Sequence, residues 1–292
     1  MTFSLHLLAA QELTANLMQK ILALIVMLSL SWGCSNDPIP NTREKVNASH
    51  SAHDSLMQAM NQNQKATLKT LGVLVYDGVN DLDYAGPLYV LGQMMGIERK
   101  LISIEDGPVM TVMGVELNPD ATIDEVDQLD LLVIPGGARG TILAAYDDKL
   151  LSWIRKIDDN SLYTASVCTG AWILAASGLL EGRKATTNWY RAEEMLEKYD
   201  AQFVPERYVR DGKYWTAAGV TAGMDMALAM LEDLRGFDYA QAVMLDMEYD
   251  PAPPILGGSP GKTRPAVTQM MTAMYDQGVL PLIDSLDISR IQ

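Results

Sequence analysis

The sequence predicts an α/β sandwich, in which helices cover both faces of a mainly parallel β-sheet. Three stretches are continuously apolar: residues 70–78 (TLGVLVYDG), 129–140 (LDLLVIPGGARG) and 162–167 (LYTASV). Strands buried on both faces give such apolar runs. Segments with helical spacing alternate with these runs, and the order strand, helix, strand is typical of a parallel sheet. The sequence contains no internal repeat.

The elements follow in order from the first apolar run. Residues 85–96 (AGPLYVLGQMMG) have helical spacing, and residues 99–107 (RKLISIEDG) again predict a strand. Residues 110–124 (MTVMGVELNPDATID) combine alternation with turn residues, which predicts a small hairpin. After the second apolar run, residues 141–159 (TILAAYDDKLLSWIRKIDD) predict one helix.

The later part of the chain continues the same pattern. The strand that ends at residue 167 is followed at once by a predicted helix over residues 169–180 (TGAWILAASGLL). Residues 207–217 (RYVRDGKYWTA) predict a hairpin with Asp211 and Gly212 at its turn. Residues 221–234 (TAGMDMALAMLEDL) predict another helix.

Residues 1–34 precede the predicted fold and have the features of an export signal. Met18-Gln19-Lys20 forms a basic start, ILALIVML an apolar core, and SLSWGC a processing region with small residues. In this interpretation Met18, rather than Met1, is the start of the protein. We therefore expect the protein in the bacterial cell envelope, in the periplasm.

The end of this signal also resembles a bacterial lipobox. In the stretch LSWGC, Cys34 would be lipidated and would tether the protein to the membrane, although Trp32 is an unusual lipobox residue. The alternative is a signal that is simply cleaved. The apolar run is too short for a comfortable membrane span.

Residues 35–67 predict a flexible linker, and the folded domain is expected over residues 68–292. The linker is polar, rich in Asn, Ser and Gln, and without sustained apolar periodicity. His50 and His53 lie inside it with no further ligands nearby, so no metal site is predicted.

The composition restricts the classes of partner. The chain has 292 residues, is 48% hydrophobic and carries a formal net charge of −15. Binding to nucleic acid depends on clusters of Lys and Arg, and the sequence shows none. We therefore expect a small-molecule substrate, no nucleic-acid partner and no cofactor.

The distribution of histidine excludes several kinds of active site. The three histidines, His6, His50 and His53, all precede the predicted domain. A Ser-His-Asp triad, a Cys-His dyad and a histidine metal site are therefore absent from it. Proton transfer has to use a carboxylate, a tyrosine, a lysine or water, with a carboxylate the first choice.

Cys168 lies where an apolar strand passes directly into a helix. Ser166 and Gly170 flank it at two residues on either side, which parallels the small residues around a nucleophile elbow. The backbone N–H groups of Thr169 and Gly170 would then point at the sulfur, and the helix dipole would favour the thiolate. The alternative is that Cys168 is a small buried apolar residue. Its place at the carboxyl end of a central strand favours the nucleophile, because open α/β sheets bind ligands there.

Two other loops are expected at the same edge of the sheet. The loop after the first strand (YDGVNDLDYAGP) carries Asp77, Asp81 and Asp83, the last placed directly before the predicted helix. The loop IPGGARG offers the backbone N–H groups of Gly136 and Gly137. Each loop also has a simpler explanation, a solvated turn for the first and a tight strand exit for the second.

In combination, these pieces resemble the ThiJ/PfpI superfamily of class I glutamine amidotransferase-like proteins, over about residues 70–262. The most specific motifs are LDYAGP, SVCTGA and PAPP…GSP. The branch that the sequence resembles most is isocyanide (isonitrile) hydratase. The resemblance implies a single flavodoxin-like domain, a three-layer sandwich, and a homodimer.

The resemblance also implies roles for individual residues. Cys168 would be the nucleophile, Asp83 the acid/base and Thr169 a helper at the thiol. Protease-like and deglycase-like members have His after the nucleophile and Glu in the first loop, so Thr169 and Asp83 favour the hydratase branch. Relatives often have His where this sequence has Asn188, which cannot carry a proton at neutral pH. Asn188 and Trp189 are expected to contact the substrate.

Three functions remain open at this point. The first is hydration of an isocyanide to an N-formamide. The second is a glyoxalase-like hydration of reactive carbonyls. The third is a non-catalytic binding or sensor module of the cell envelope, since AraC-type regulators share much of this domain, including a SVCTG stretch. Those regulators append a DNA-binding helix-turn-helix, and we expect none here because too few residues follow the domain before Gln292.

Overall fold

A seven-stranded sheet between two layers of helices dominates the computed structural model, which describes residues 68–291 together with Ser55 and Ala66. By its contacts the chain divides into residues 1–56, of which only Ser55 is described, and residues 57–292. The predicted signal, the lipidation of Cys34 and nearly all of the linker lie outside the described residues. The boundary at residue 68 and the homodimer stay predictions.

Eleven strands are assigned among the described residues. They are β1 (Thr70–Val75), β2 (Glu98–Ser103), β3 (Val109–Met110), β4 (Glu116–Leu117), β5 (Ala121–Thr122), β6 (Leu131–Ile134), β7 (Tyr163–Val167), β8 (Lys184–Ala185), β9 (Gln202–Phe203), β10 (Tyr208–Asp211) and β11 (Tyr214–Ala217).

The helices of the described part are α1 (Asp81–Leu91), α2 (Arg139–Ala145), α3 (Asp148–Asn160), α4 (Gly170–Ala176), α5 (Ala192–Glu197), α6 (Ala222–Arg235), α7 (Phe237–Asp246) and α8 (Pro265–Ile291). A short 3₁₀ turn over Pro260–Lys262 precedes α8.

The order of the strands confirms the predicted fold class. The large sheet runs β10-β11-β7-β6-β1-β2-β5, and every pairing except β10 with β11 is parallel. Without the two-residue edge strand β5, the five parallel strands have the order 2-1-3-4-5, which is the flavodoxin-like order. The order reverses between β1 and β6, and ligands of such sheets bind at the carboxyl ends of the strands there.

The layers arise because side chains alternate across the sheet. In β6, Leu131 and Val133 join the core beneath α1, α6 and α7, whereas Leu132 and Ile134 join the core beneath α3 and α4. All four side chains are buried. This double burial explains the continuous apolar runs in the sequence.

Several predicted helices have different bounds in the structure, and the one predicted over residues 169–180 ends already at Ala176. The first helix begins at Asp81 rather than after residue 83, because the side chain of Asn80 caps it by accepting the N–H of Leu82 at 3.2 Å. Asp83 therefore lies inside the first helical turn. The single helix predicted over residues 141–159 is two helices, α2 and α3. Asp147 begins the second one by accepting the N–H of Leu150 at 3.0 Å.

Both predicted hairpins are present, with small changes. β3 and β4 pair antiparallel, but residues 121–122 leave this hairpin and extend the large sheet beside β2. In the second hairpin Asp211 pairs with Tyr214, so the two-residue loop is Gly212-Lys213 rather than Asp211-Gly212. Gly212 has φ +65°, a conformation that glycine adopts without strain.

The C-terminal helix α8 has no counterpart in the sequence prediction, which assigned no element after residue 234. Its inward side packs with Ile142, Trp172, Tyr190 and Met195 around the buried Val279. The helix therefore packs against α2, α4 and the segment that leads into α5. Within the described part of the chain, no helix is long and apolar enough to cross a bilayer.

Candidate active site

Cys168 lies at the sharp turn between β7 and α4, as the sequence predicts. Its φ is +59°, a left-handed conformation that costs a non-glycine residue about 1–2 kcal/mol. The surrounding structure holds it there. The N–H of Cys168 donates to the carbonyl of Ala217 in β11 at 3.0 Å, and its carbonyl accepts the hydroxyl of Thr187 at 2.9 Å. The backbone of the turn is thus determined by two distant segments of the chain.

The glycines around this turn are positions of close approach. A Cβ on Gly170 would lie 2.1 Å from the carbonyl oxygen of Ile134. A Cβ on Gly137 would lie 2.1 Å from the carbonyl oxygen of Gly78, and one on Gly136 would lie 2.9 Å from Oδ2 of Asp83. The absence of side chains at these glycines lets the loops after β1, β6 and β7 meet.

The hydroxyl of Thr169 belongs to a directed chain of hydrogen bonds. Tyr76 donates to the carbonyl of Pro135 at 2.7 Å, so its oxygen accepts from Thr141 at 3.0 Å. Thr141 in turn accepts from Thr169 at 2.9 Å, because each hydroxyl has one proton to donate. Thr169 Oγ1 then accepts the N–H of Gly137 at 3.1 Å. Its hydroxyl proton is committed to Thr141 and not to the sulfur.

This chain corrects two expectations from the sequence. Gly137 is not an exposed donor, since its N–H is used by Thr169. The backbone N–H of Gly136 lies close to the carboxyl of Asp83 and lowers its pKa. The N–H of Gly137 is therefore not free for an oxyanion in this arrangement. The contribution of Thr169 to the thiol is its backbone N–H, which favours the thiolate of Cys168.

The three aspartates of the first loop have different roles. Asp77 accepts the N–H of Met110 at 2.9 Å, and Asp81 accepts the hydroxyl of Thr111 at 2.8 Å. Both carboxylates hold the β3–β4 hairpin in place. Asp83 alone turns inward, with none of its surface exposed. The carboxylate expected at the thiol is therefore Asp83.

Asp83 and Cys168 are both buried, and each affects the pKa of the other. Burial raises the pKa of Asp83 to about 7, although the thiol and the N–H of Gly136 act in the opposite direction. Neither carboxyl oxygen of Asp83 has a hydrogen-bond partner among the described residues. A carboxyl group in such surroundings holds its proton close to neutral pH.

Burial disfavours the thiolate of Cys168, which opposes the effect of the helix dipole that the sequence predicts. Only 8% of Cys168 is exposed. Burial raises the pKa of the thiol, and the charge of Asp83 raises it further. The N–H of Thr169 and the amide of Asn188 lower the pKa of the thiol but do not outweigh burial. The site therefore favours a protonated thiol, and the neighbouring carboxyl group of Asp83 can accept the thiol proton when it is ionised.

Asn188 contacts the sulfur directly. Its Nδ2 donates to Sγ of Cys168 at 3.3 Å, and its Oδ1 accepts the N–H of Tyr190 at 3.0 Å. The second bond determines which end of the amide faces the sulfur. Trp189 borders a cavity of about 170 Å³ together with Gly258, Ser259, Pro260, Thr263, Thr268 and Met271.

Tyr275 of α8 is a site residue that the sequence did not indicate. Its ring stacks on Tyr190 with centroids 5.0 Å apart and meets Trp189 edge-on at 5.8 Å. Burial raises the pKa of Tyr275, and the neighbouring Cys168 and Asp83 raise it further. No local pattern could have identified it, because it is 107 positions from Cys168 in the chain.

Among the described residues, no group of three or more His, Cys, Asp or Glu side chains is placed to hold a metal ion.

The fold and the site together define a class of protein. A flavodoxin-like sheet carries a cysteine elbow next to its switch point, and the first turn of the helix after the first strand supplies a buried acid. The chain belongs to the DJ-1/PfpI family, whose model matches residues 69–233. The predicted family membership is thus confirmed.

The relatives agree with this assignment. The isonitrile hydratase of Pseudomonas putida is 39% identical over 197 residues, which cover 68% of this chain and 86% of that protein. An HTH-type transcriptional regulator of Pseudomonas aeruginosa is 33% identical over 47% of this chain and 40% of its own length. The crystal structure of a ThiJ/PfpI family protein from Pseudomonas syringae has a TM-score of 0.72 and 30% identity, covering 87% of this chain and 99% of that one.

Proposed function

We propose that this protein is a cysteine-dependent hydratase that converts a small isocyanide to the corresponding N-formamide. The observation that carries the proposal is the buried pair of Cys168 and Asp83, in a described domain whose sequence has no histidine. The similarity to an isonitrile hydratase over two thirds of the chain supports the same chemistry. Asp83 is the group that moves protons in every step.

The first step uses the form of the pair that holds a single proton. Sγ of Cys168 attacks the terminal carbon of the isocyanide, and the ionised carboxylate of Asp83 accepts the thiol proton. Asp83 then passes this proton to the same carbon. A C–S and a C–H bond form, and the product of the step is a thioimidate on Cys168.

The second step consumes one water molecule. Asp83, ionised again, accepts a proton from water while the water oxygen attacks the thioimidate carbon. The C–S bond breaks, one proton goes to the nitrogen and the other returns to the sulfur, so that N-formamide and free thiol result. The amide of Asn188 stabilises the departing sulfur, because a hydrogen bond to an anion is stronger than one to a neutral group.

The non-catalytic alternative retains two supporting observations. Regulator relatives share part of this chain, and the thiol is buried with a raised pKa. A protein that only binds a ligand needs neither Asp83 nor an ionising thiol. Activity measurements with matched variants separate the two functions.

The test is turnover of an alkyl isocyanide by the purified full-length protein, with N-formamide quantified by mass spectrometry. We expect Cys168→Ala and Asp83→Asn to lower kcat/KM at least about 100-fold, since each removes a group that takes part in bond formation. Asp77→Asn is the matched control, because that carboxylate only holds the hairpin. Full turnover by either site variant refutes the mechanism. Lactate formation from methylglyoxal in place of isocyanide hydration would support the glyoxalase-like function.

A further inference from the structure

The C-terminal helix α8 is joined to the active site through residues 188–191. This segment begins with Asn188, whose amide donates to the sulfur of Cys168. It continues with Tyr190, which is buried, and Arg191, which has a left-handed φ of +46°. A non-glycine residue in that conformation persists only where its surroundings hold it.

Asp276 of α8 bonds two residues of this segment, and Glu194 also pairs with Arg191 at 2.6 Å. Oδ1 of Asp276 accepts the hydroxyl of Tyr190 at 2.8 Å and Nε of Arg191 at 3.1 Å. The neighbouring Tyr275 adds the ring stack on Tyr190. Two consecutive side chains of the segment are thus bonded to one carboxylate.

The segment transmits this restraint to the sulfur by one further bond. The backbone N–H of Tyr190 donates to Oδ1 of Asn188 at 3.0 Å, which leaves Nδ2 to face Sγ of Cys168. If Tyr190 moves, the amide loses the partner that orients it. The position of Asp276 therefore affects a donor to the nucleophile without contacting the nucleophile itself.

We propose that Asp276 is a positioning residue of the active site, acting through Tyr190 and Asn188 on the thiol of Cys168. This inference rests on the proposed function, since it treats Cys168 as the nucleophile. In this proposal α8 contributes to the active site, although it lies beyond residue 233, where the family match ends. Removal of the Asp276 carboxylate loosens the segment, weakens the amide bond to sulfur and makes the thiolate harder to form.

The test measures the rate of Cys168 alkylation by iodoacetamide from pH 7 to pH 10. A hydrogen bond to a charged group is stronger than one to a neutral group, so Asn188→Ala is expected to slow alkylation at least about 10-fold at a given pH. Asp276→Ala is expected to slow it by roughly 3- to 10-fold, a part of the same effect. The titratable groups near the sulfur, Asp83, Tyr76 and Tyr275, are unchanged in both variants.

The matched control is Asp287→Ala. Asp287 is another carboxylate of α8, but it bonds Tyr146 and Lys198, away from residues 188–191. We expect its alkylation profile to overlay that of the unmodified protein even if the melting temperature falls. An equal change in the profiles of Asp276→Ala and Asp287→Ala would mean that general loosening of α8 is responsible, and would overturn the inference.

A double variant isolates the route of the effect. If Asp276 acts through Asn188, then Asp276→Ala has no further effect on alkylation in the Asn188→Ala background. Independent effects of the two substitutions would refute the proposed route. If Asp276→Ala does not fold, Tyr190→Phe removes one of the two bonds and allows the same comparison. Alkylation needs no isocyanide, so absence of turnover would reject the proposed function while this comparison stays decisive.

Discussion

Replacement of Asp83 by Asn should make the protein more stable above neutral pH while abolishing its activity. The pKa of Asp83 is about 7 in the folded protein and 3.8 in an unperturbed chain. At 1.36 kcal/mol per pKa unit, ionising the buried carboxyl costs the fold about 4 kcal/mol. Asn cannot ionise, but its unpaired buried amide costs about 1–3 kcal/mol. At pH 8 the variant should therefore be more stable by roughly 1–3 kcal/mol.

The sign of the effect follows from proton binding. Between pH 3.8 and about 7 the folded protein retains a proton on Asp83 that the unfolded chain releases. The free energy of unfolding of the unmodified protein then falls as pH rises through this window. Below the window the penalty is absent, so the advantage of Asp83→Asn disappears and the cost of its amide remains.

Thermal unfolding of both proteins at several pH values between 4 and 8 measures this difference. A change of 1 kcal/mol shifts the melting temperature of a domain of this size by about 2–4 °C. The difference in melting temperature between the two proteins should therefore change by roughly 8–16 °C across the range. A difference in melting temperature that stays the same at all pH values would show that folding does not raise the pKa of Asp83. The argument that Asp83 transfers protons near neutral pH would then fail.

Four other predictions are open to measurement. Gly170→Ala should destabilise the protein by about 3 kcal/mol or more, because its Cβ meets the carbonyl of Ile134, whereas Gly219→Ala has open space and should be near neutral in a urea titration. Thr141→Val should cost about 1–3 kcal/mol, since the hydroxyl proton of Thr169 loses its acceptor; an unchanged melting temperature would contradict the directed chain of hydroxyls. The kcat/KM for isocyanide should rise with pH through about 7, where Asp83 becomes able to accept the thiol proton, and a flat profile would argue against this role. Cys34→Ser should release the protein from the membrane fraction of a bacterial host, unless the signal is simply cleaved.

The sequence predicts the backbone turn at Cys168 but not the surroundings of its thiol. The apolar run before Cys168 and the small residues after it predict a sharp strand-to-helix turn, and φ of +59° confirms it. The turn is local, so the residues on either side are enough to indicate it. The sequence indicated the groups that favour the thiolate but not the burial that raises the pKa of the thiol, because burial depends on distant segments of the chain.

The first loop shows the same limit in another way. Three aspartates within seven residues are equivalent in the sequence, and only the resemblance to a family distinguishes Asp83. In the structure, Asp77 and Asp81 bond the β3–β4 hairpin, which lies about 30 positions further along the chain. Asp77 precedes the helix. Asp81 and Asp83 both lie in its first turn, and only Asp83 is on the side that faces the core. The sequence could not show this, because the helix begins earlier than the spacing predicted.

The sequence alone determined the alternation of strands and helices, the sandwich that follows from it, the cysteine elbow and the lack of histidine in the domain. These properties depend on neighbouring residues and on composition, which act over a few positions of chain. Only the tertiary structure decided that burial raises the pKa of the thiol, that the hydroxyl of Thr169 donates to Thr141, and that Asp276 reaches Asn188 through Tyr190. Hydrogen bonds and desolvation act between groups that folding brings together, and here those groups are tens of residues apart.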